Sequence, residues 1–347
     1  MKILNMVGEF FALDIGTNAL NLVQLKKSAG GWSLGYAGSQ TIDVKLSTSD
    51  APEDRARLAE AIRSLIQQTG VRVKDVVLGV PSNMAFATVV DIPDTPSAEL
   101  STVVRYQAEQ YVPMSPDASK IDWAVLGKLP SDPSKNEVLL VAVDNKFLEG
   151  RLDLVESLGL NVIAIEPDSL AITRALTDIK SPNSKLVVRF GSNTTDIVAV
   201  TGEAPKLVRA LPIGSDSLTK AVMQNIGVDA DQAEQFVRKF GLLPEKLEGK
   251  VFHALESTVE QFVSELTKSV KFFNGRYPGV VIDTLVMTDT GLSIPGLSGY
   301  ITQKTGLNVI PGDPWARVNV SGVEKQKLQD TAATFAVAVG LAMREEN

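Results

Sequence analysis

Two stretches, ALDIGTNALNLVQL at residues 12–25 and VVRFGSNTTDIVAV at residues 187–200, set the architecture of the chain. Aligned without gaps, Gly16 falls on Gly191, Thr17 on Ser192 and Asn18 on Asn193, and Leu22 and Val23 fall on Ile197 and Val198. Each stretch is an apolar run, a Gly-Ser/Thr-Asn turn and a second apolar run, which predicts a β-hairpin. Each also opens one half of the chain, so the repeat predicts a duplicated α/β architecture. The turn has its own chemistry. Glycine with short hydroxyl side chains leaves backbone N–H groups directed at an anion, and two such turns facing each other across a cleft suit the phosphates of one nucleotide.

Composition narrows the alternatives. The 347 residues are 44% hydrophobic and 22% charged, which fits a globular chain of two or three domains. A formal net charge of −7 argues against nucleic acid or an anionic membrane surface as a partner. The absence of cysteine excludes disulfides, cysteine zinc sites and thiol nucleophiles. The single histidine, His253, lies in VFHALESTVEQF without a triad motif and reads as a surface or packing residue. The start, MKILNMVGEFFALDIG, is interrupted by Asn5, Gly8 and Glu9 and does not read as a signal peptide. No apolar run approaches the ~20 residues that span a bilayer, so a cytoplasmic location is expected. The closing TAATFAVAVGLAMRE reads as a buried helix packing through its Ala and Gly surface.

Between the hairpins the pattern predicts a strand in WSLGYAGSQTIDV, a helix over about 52–69 and a strand in DVVLGVPS. Residues 84–144 then change character, with strand MAFATVVDIP, a helix over about 96–111, and strands DWAVLGKL and EVLLVAVD around the loop-like connector LPSDPSKNE. This reads as a small inserted α+β subdomain. The expected boundaries are 1–83 and 145–185 for the first lobe, 84–144 for the insertion and 186–347 for the second lobe. Within the second lobe PKLVRALPIGSDSLTKAV breaks at Pro212 and Gly214 before a helix. Helical stretches come next over about 229–240 and 246–276, and then a strand-turn-helix, LVMTDTGLSIPGLSGYI, of a kind able to lie against an adenine ring.

A duplicated pair of phosphate hairpins is the plan of actin, hexokinases and Hsp70 chaperones. Over nearly its whole length the chain resembles the PilM family, the actin-like cytoplasmic proteins of type IV pilus assembly. The resemblance is carried by FALDIGTNALNLVQL, VVLGVPSNMAFATVVDIP, LSTVVRYQAEQYVPMSPDASKIDWAVLG, LVESLGLNVIAIEPDSLAITRAL, RALPIGSDSLTKAV, GLSIPGLSGYI and FAVAVGLA. The helix ending RYQAEQYVPMSP is its most specific segment. The resemblance implies an actin-like ATPase fold, with duplicated ribonuclease-H-like lobes and the small inserted α+β subdomain. It implies ATP and Mg2+ between the lobes, with Asp14 near the magnesium, usually through water. It places Gly16, Thr17, Asn18 and Asn21 on the first phosphate hairpin and Arg189, Gly191, Ser192 and Asn193 on the second. Gly214, Glu234, Asp289 and Gly291 complete the expected nucleotide contacts. The implied partner is the short cytoplasmic N-terminal peptide of a PilN-type inner-membrane protein, held between the first lobe and the insertion. The protein is then expected at the inner face of the membrane through partners alone, and self-association stays open. Phe86, Val90, Tyr106, Glu109 and Tyr111 are the candidate partner-binding residues.

The departures from the family pattern concern the nucleotide. The first phosphate loop usually ends on a lysine where this chain has Asn21; the second hairpin usually carries an aspartate where it has Arg189. A cation there opposes the carboxylate that magnesium chemistry wants. The glycine-rich adenosine turn is Thr288-Asp289-Thr290-Gly291, and the lysine expected after Ala233 and Glu234 is Val237. These changes predict weak or lost nucleotide binding, no efficient ATPase activity, and an Arg189–Asp14 pair standing in for magnesium. They favour a scaffold over two other readings, a nucleotide-switched actin-like ATPase and an FtsA-like filament-forming membrane adaptor. GLAMREEN offers that last reading no amphipathic membrane helix.

Overall fold

A computed structural model describes residues 9–178, 183–202, 204–328 and 333–345. The chain divides into two compact units, one drawn from Met1–Ala85, Val143–Ala175 and Asp313–Asn347, the other from Phe86–Ala142 and Leu176–Gly312.

The first unit is built on a six-stranded sheet of β1 (Phe11–Ile15), β2 (Ala19–Ser28), β3 (Gly31–Thr41), β4 (Asp75–Val80), β8 (Asn161–Pro167) and β14 (Val318–Asn319), in the order β14-β3-β2-β1-β4-β8. Its helices are α1 (Val44–Thr48), α2 (Pro52–Thr69), α4 (Asn145–Glu156), α5 (Asp168–Leu176), α10 (Gly322–Leu328) and α11 (Ala336–Ala342). The expected bounds of α2 hold. Pro52 sits at its first turn with Glu53 and Asp54, and Gly70 closes it at φ 77°, the conformation that glycine adopts without a Cβ penalty.

The second unit repeats the plan. Strands β9 (Ser184–Phe190), β10 (Thr195–Thr201), β11 (Ala204–Leu211), β12 (Thr284–Thr288) and β13 (Asn308–Pro311) lie in the order β11-β10-β9-β12-β13. Strand for strand this matches β3-β2-β1-β4-β8, with two antiparallel pairings and then two parallel ones in each sheet. The duplication read from fourteen residues therefore extends through both sheets. Helices α6 (Ser215–Ile226), α7 (Ala230–Phe240), α8 (Lys250–Arg276) and α9 (Leu297–Thr305) pack on the second sheet through a core that includes Phe190, Phe262 and Phe273.

The inserted segment forms its own sheet of β5 (Ala85–Pro93), β6 (Ser119–Leu129) and β7 (Asp132–Asp144), ordered β5-β7-β6, with α3 (Ser97–Tyr111) against it. Its core joins Val90, Ile92, Val104, Ala108, Val138 and Leu140. Three expectations need correction. The connector 129–137 is mostly strand, because the Ser134 carbonyl accepts from the Asp94 N–H at 2.8 Å and Asn136 donates to the Asp94 carboxylate at 3.1 Å. The insertion groups with the second half of the chain, held by buried charge. Glu137, with no exposed surface, accepts from Tyr277 Oη and Lys206 Nζ, and Arg276 pairs with Asp91. The second lobe also ends before residue 347. From Asp313 onward the chain returns to the first unit, where β14 pairs in parallel with β3 and α11 packs on β1, β2 and β4.

The closing helix is buried along Ala336–Ala342, as its small residues suggest. A Cβ on Gly340 would stand 1.8 Å from the Ala171 carbonyl oxygen, and Arg174 donates to the Gly340 carbonyl at 2.7 Å. Backbone meets backbone there, so no side chain is free to yield. Gly340→Ala is expected to cost about 3 kcal/mol in urea unfolding. In α4, Gly150→Ala meets nothing within 4 Å and is expected to be neutral or stabilising by up to about 1 kcal/mol.

Candidate functional site

Both hairpins turn the same way. Gly16 N–H donates to the Ala19 carbonyl at 3.0 Å and Gly191 N–H to the Thr194 carbonyl at 3.0 Å. A Cβ on either glycine would lie 3.0 Å from that same carbonyl. The turns open after Ile15 opposite Leu20 and after Phe190 opposite Thr195, and Asn18 and Asn193 stand exposed at the tips. Thr17 and Asn18 are tied to the segment after β3: the Thr17 carbonyl accepts from Ser47 Oγ at 2.7 Å and the Asn18 carbonyl from Ile42 N–H at 2.9 Å.

The cross-strand pair beneath each turn differs, and the difference is one of charge. In the first hairpin Asp14 faces Asn21. The Asn21 amide donates to Asp14 Oδ2 at 3.1 Å and to the Thr334 carbonyl at 3.3 Å, and its oxygen accepts from Ser39 Oγ at 2.8 Å. Both amide hydrogens and the oxygen are thus used, at a residue only 3% exposed. Asn21 therefore acts as a structural amide, holding Asp14 in place and joining β2 to the closing segment.

In the second hairpin Arg189 faces Asp196, with the cation on the first strand and the acid on the second. Arg189 Nη1 lies 3.3 Å from Asp196 Oδ2, and its Nε donates to Asp289 Oδ2 at 3.0 Å. Asp289, at φ 67°, turns its other oxygen to the Thr290 N–H at 2.8 Å, and Thr290 Oγ1 donates to the Phe190 carbonyl at 2.5 Å. Gly291 is required for close approach, since a Cβ there would meet Phe190 and Met287 at 2.8 Å. The turn after β12 is in this way stapled to the second hairpin.

Helix α6 begins against the same turn. Ser215 and Asp216 N–H groups donate to the Gly191 and Ser192 carbonyls, each at 3.0 Å. A Cβ on Gly214 would fall 2.2 Å from the Ser192 carbonyl oxygen. Helix N-termini attract anions through such N–H groups, and here the chain's own carbonyls take two of them. Burial pushes the Asp216 carboxyl up from its ordinary value, Lys220 draws it down, and Glu234 pushes it up again. Glu234 points outward from α7 and pairs with Arg238 at 2.7 Å. Ala233 and Val237 are core residues. Among the described residues no group of three or more His, Cys, Asp or Glu side chains is arranged to hold a metal ion.

The candidate partner residues do not share one surface. Val90 is 3% exposed and Phe86 packs against the insertion core, so both serve the subdomain's interior. Tyr106 is 63% exposed and Tyr111 48% exposed on α3, and Glu109 is exposed there as well. Two further residues have roles that the sequence pattern did not flag. Asp196 sits in the second repeat at the position of Asn21, and pairing the repeat with its own cross-strand register would have found it. Glu137 carried no local signal, since its partners lie 69 and 140 residues away.

The same plan occurs among known proteins. The family described as "Type IV pilus assembly protein PilM" matches residues 12–346. A solved PilM–PilN type IV pilus biogenesis complex superposes with a TM-score of 0.83 at 25% identity, covering 97% of this chain and 98% of the other. The ethanolamine utilization protein EutJ from Carboxydothermus hydrogenoformans is similar at TM-score 0.54 and 13% identity, covering 97% and 90%. MreB5 of Spiroplasma citri bound to ADP is similar at 0.54 and 11%, covering 95% and 94%. These last two show the actin-like ATPase fold alone. No helix of the described residues is long and apolar enough to cross a membrane.

Arg189→Met removes the cation between Asp196, 1% exposed in its side chain, and Asp289. Leaving a carboxylate buried without its partner is expected to cost about 3 kcal/mol in urea unfolding. Adding Asp196→Asn and Asp289→Asn to that variant is expected to recover most of the loss, which urea unfolding of the triple variant measures.

Proposed function

The chain belongs to the type IV pilus assembly protein PilM family, and from that premise we propose that it works as a scaffold that holds a PilN-type protein and makes little use of nucleotide. The observation that carries the partner half is the likeness, over 97% of this chain, to a PilM–PilN complex. A cytoplasmic N-terminal segment of a PilN-type inner-membrane protein is the ligand, and the scaffold reaches the membrane through it.

The nucleotide half rests on Arg189. A magnesium–triphosphate needs carboxylates that face the metal and donors that face the phosphates. On the second hairpin the first-strand position holds a guanidinium, which Asp196 and Asp289 bind. The α6 N–H groups of Ser215 and Asp216 are bound to the turn. On the first hairpin the lysine position is a hydrogen-bonded amide. These residues do not fit a magnesium-bound triphosphate, and no hydrolytic step is assigned to them.

The test is a thermal melt of the purified protein with and without millimolar Mg-ATP, read beside phosphate release. A ligand at 100 times its Kd stabilises by about 2.7 kcal/mol, so productive binding would move the midpoint by several degrees. The expected result is no shift and no release above the uncatalysed rate, together with co-purification of a PilN-type N-terminal segment. A clear shift with turnover would favour the nucleotide-switched ATPase, and failure to capture the segment would remove the partner half.

A further inference from the structure

Strand β6, Ser119–Leu129, is the outer strand of the inserted sheet. It is the longest edge strand among the described residues, with eleven residues against nine for β5, eight for β11, seven for β8, four for β13 and two for β14. No proline interrupts it, whereas β11 carries Pro205. Asp122, Trp123, Ala124 and Val125 are exposed in succession, so side chains on both faces of the strand reach solvent there. An open edge of this kind is a template for another strand.

The side chains of β6 select what can pair with it. The Trp123 N–H donates to the Asp122 carboxylate at 2.8 Å, which directs it to the outer edge. Strand hydrogen bonds alternate, so Ile121, Val125 and Gly127 share that direction. A second β6 running antiparallel then sets odd residues against odd ones. Centred on Asp122, such a pair faces that carboxylate with its own copy; centred on Ala124, it faces Lys120 with Lys128. Like charges directly opposite disfavour both registers. Centring on Trp123 brings no opposite charges together. Centred on Val125, the pair faces Asp122 with Lys128 twice, by symmetry, and Trp123 with Gly127. A Cβ on Gly127 would meet nothing within 4 Å, which leaves room there for an indole, and aromatic rings cover strand glycines favourably.

We propose that β6 pairs antiparallel with β6 of a second copy of this chain, with Val125 on the two-fold axis, Asp122 meeting the partner's Lys128 at each end, and the Trp123 ring covering the partner's Gly127. In the pair the Trp123 N–H passes to the partner's Gly127 carbonyl, which releases the Asp122 carboxylate for the ion pair. Lys128 also reaches Asp94 at 2.6 Å, and an ammonium has three donors, enough for both acids. The interface is isologous and closes at two copies. It is small, so the dimer is weak and concentration-dependent. The pairing is additional to the PilN-type interaction proposed above.

Sedimentation of the full chain over a concentration series measures the dimer, and charge reversals test its register. Asp122→Lys and Lys128→Asp each set two like-charge contacts across the axis and are expected to weaken the dimer tenfold or more. The double variant restores opposite charges and is expected to recover most of the affinity, since the Lys128–Asp94 contact it gives up is an exposed pair of small value. The chain has no cysteine, so Val125→Cys supplies a clean second readout. Hydrogen-bonded antiparallel partners lie about 5.5 Å apart at Cα, within disulfide reach, and mild oxidation is expected to link two chains through Cys at that position. Lys120→Cys, far from its own copy in this register, is expected not to link. Unchanged thermal midpoints establish that the variants fold; where a reversal lowers the midpoint, the two cysteine variants decide. A chain that stays monomeric at about 1 mM, where even a millimolar Kd pairs about half the chains, overturns the proposal. A dimer indifferent to both reversals overturns it too, as does a double variant no tighter than the single ones, or linking by Lys120→Cys as fast as by Val125→Cys. Capture of a PilN-type segment is a separate readout, so failure there leaves the dimer measurement standing.

Discussion

A guanidinium held between two carboxylates organises the second half of this protein. Arg189 reaches Asp196 across the hairpin and Asp289 in the turn after β12, and charge-assisted bonds of this kind are among the stronger polar contacts a protein makes. The arrangement ties β9, β10 and that turn into one piece. It also fixes what that piece offers a ligand. The repeat places Asp14 and Arg189 at equivalent positions and Asn21 and Asp196 at the next. The same cross-strand geometry therefore holds an acid and an amide in one unit and a cation and an acid in the other. In each unit the side chains beneath the turn are bound by groups of the chain itself.

The inserted subdomain obeys the same logic of internal satisfaction. Glu137 lies on β7 with no exposed surface, yet it is surrounded by Tyr277, Lys206 and Arg276 from the second half of the chain. A buried carboxylate is tolerated only with such partners. This network gives the insertion a fixed seat within its unit.

Much of this was legible in the residues. The Gly-Ser/Thr-Asn repeat pointed to the duplication because turn chemistry is local: glycine is needed where a Cβ would press on the carbonyl three residues on. The helix of Ala336–Ala342 was readable as buried because small residues mark close packing. Arg189 could be recognised as a departure from the family pattern, since its charge is opposite to the aspartate expected there. Its partners could not be read as directly. Asp289 is a hundred residues away, and only the folded sheet brings β12 beside β9. The return of the chain from Asp313 to the first unit depends on a two-residue strand, Val318–Asn319, too short to leave a periodic pattern. At Asn21 the sequence shows a missing lysine but not the amide's bonds to Asp14, Ser39 and Thr334, which only the fold brings together.

The scaffold proposed above should bind its partner independently of nucleotide. Calorimetric titration of a PilN-type N-terminal segment into the protein, with and without saturating Mg-ATP, measures that independence. Coupling between two sites appears as a ratio of affinities, and 1.4 kcal/mol is a factor of ten. The same Kd is predicted in both titrations. A tenfold or larger change would contradict this and would make the nucleotide a working effector of the scaffold.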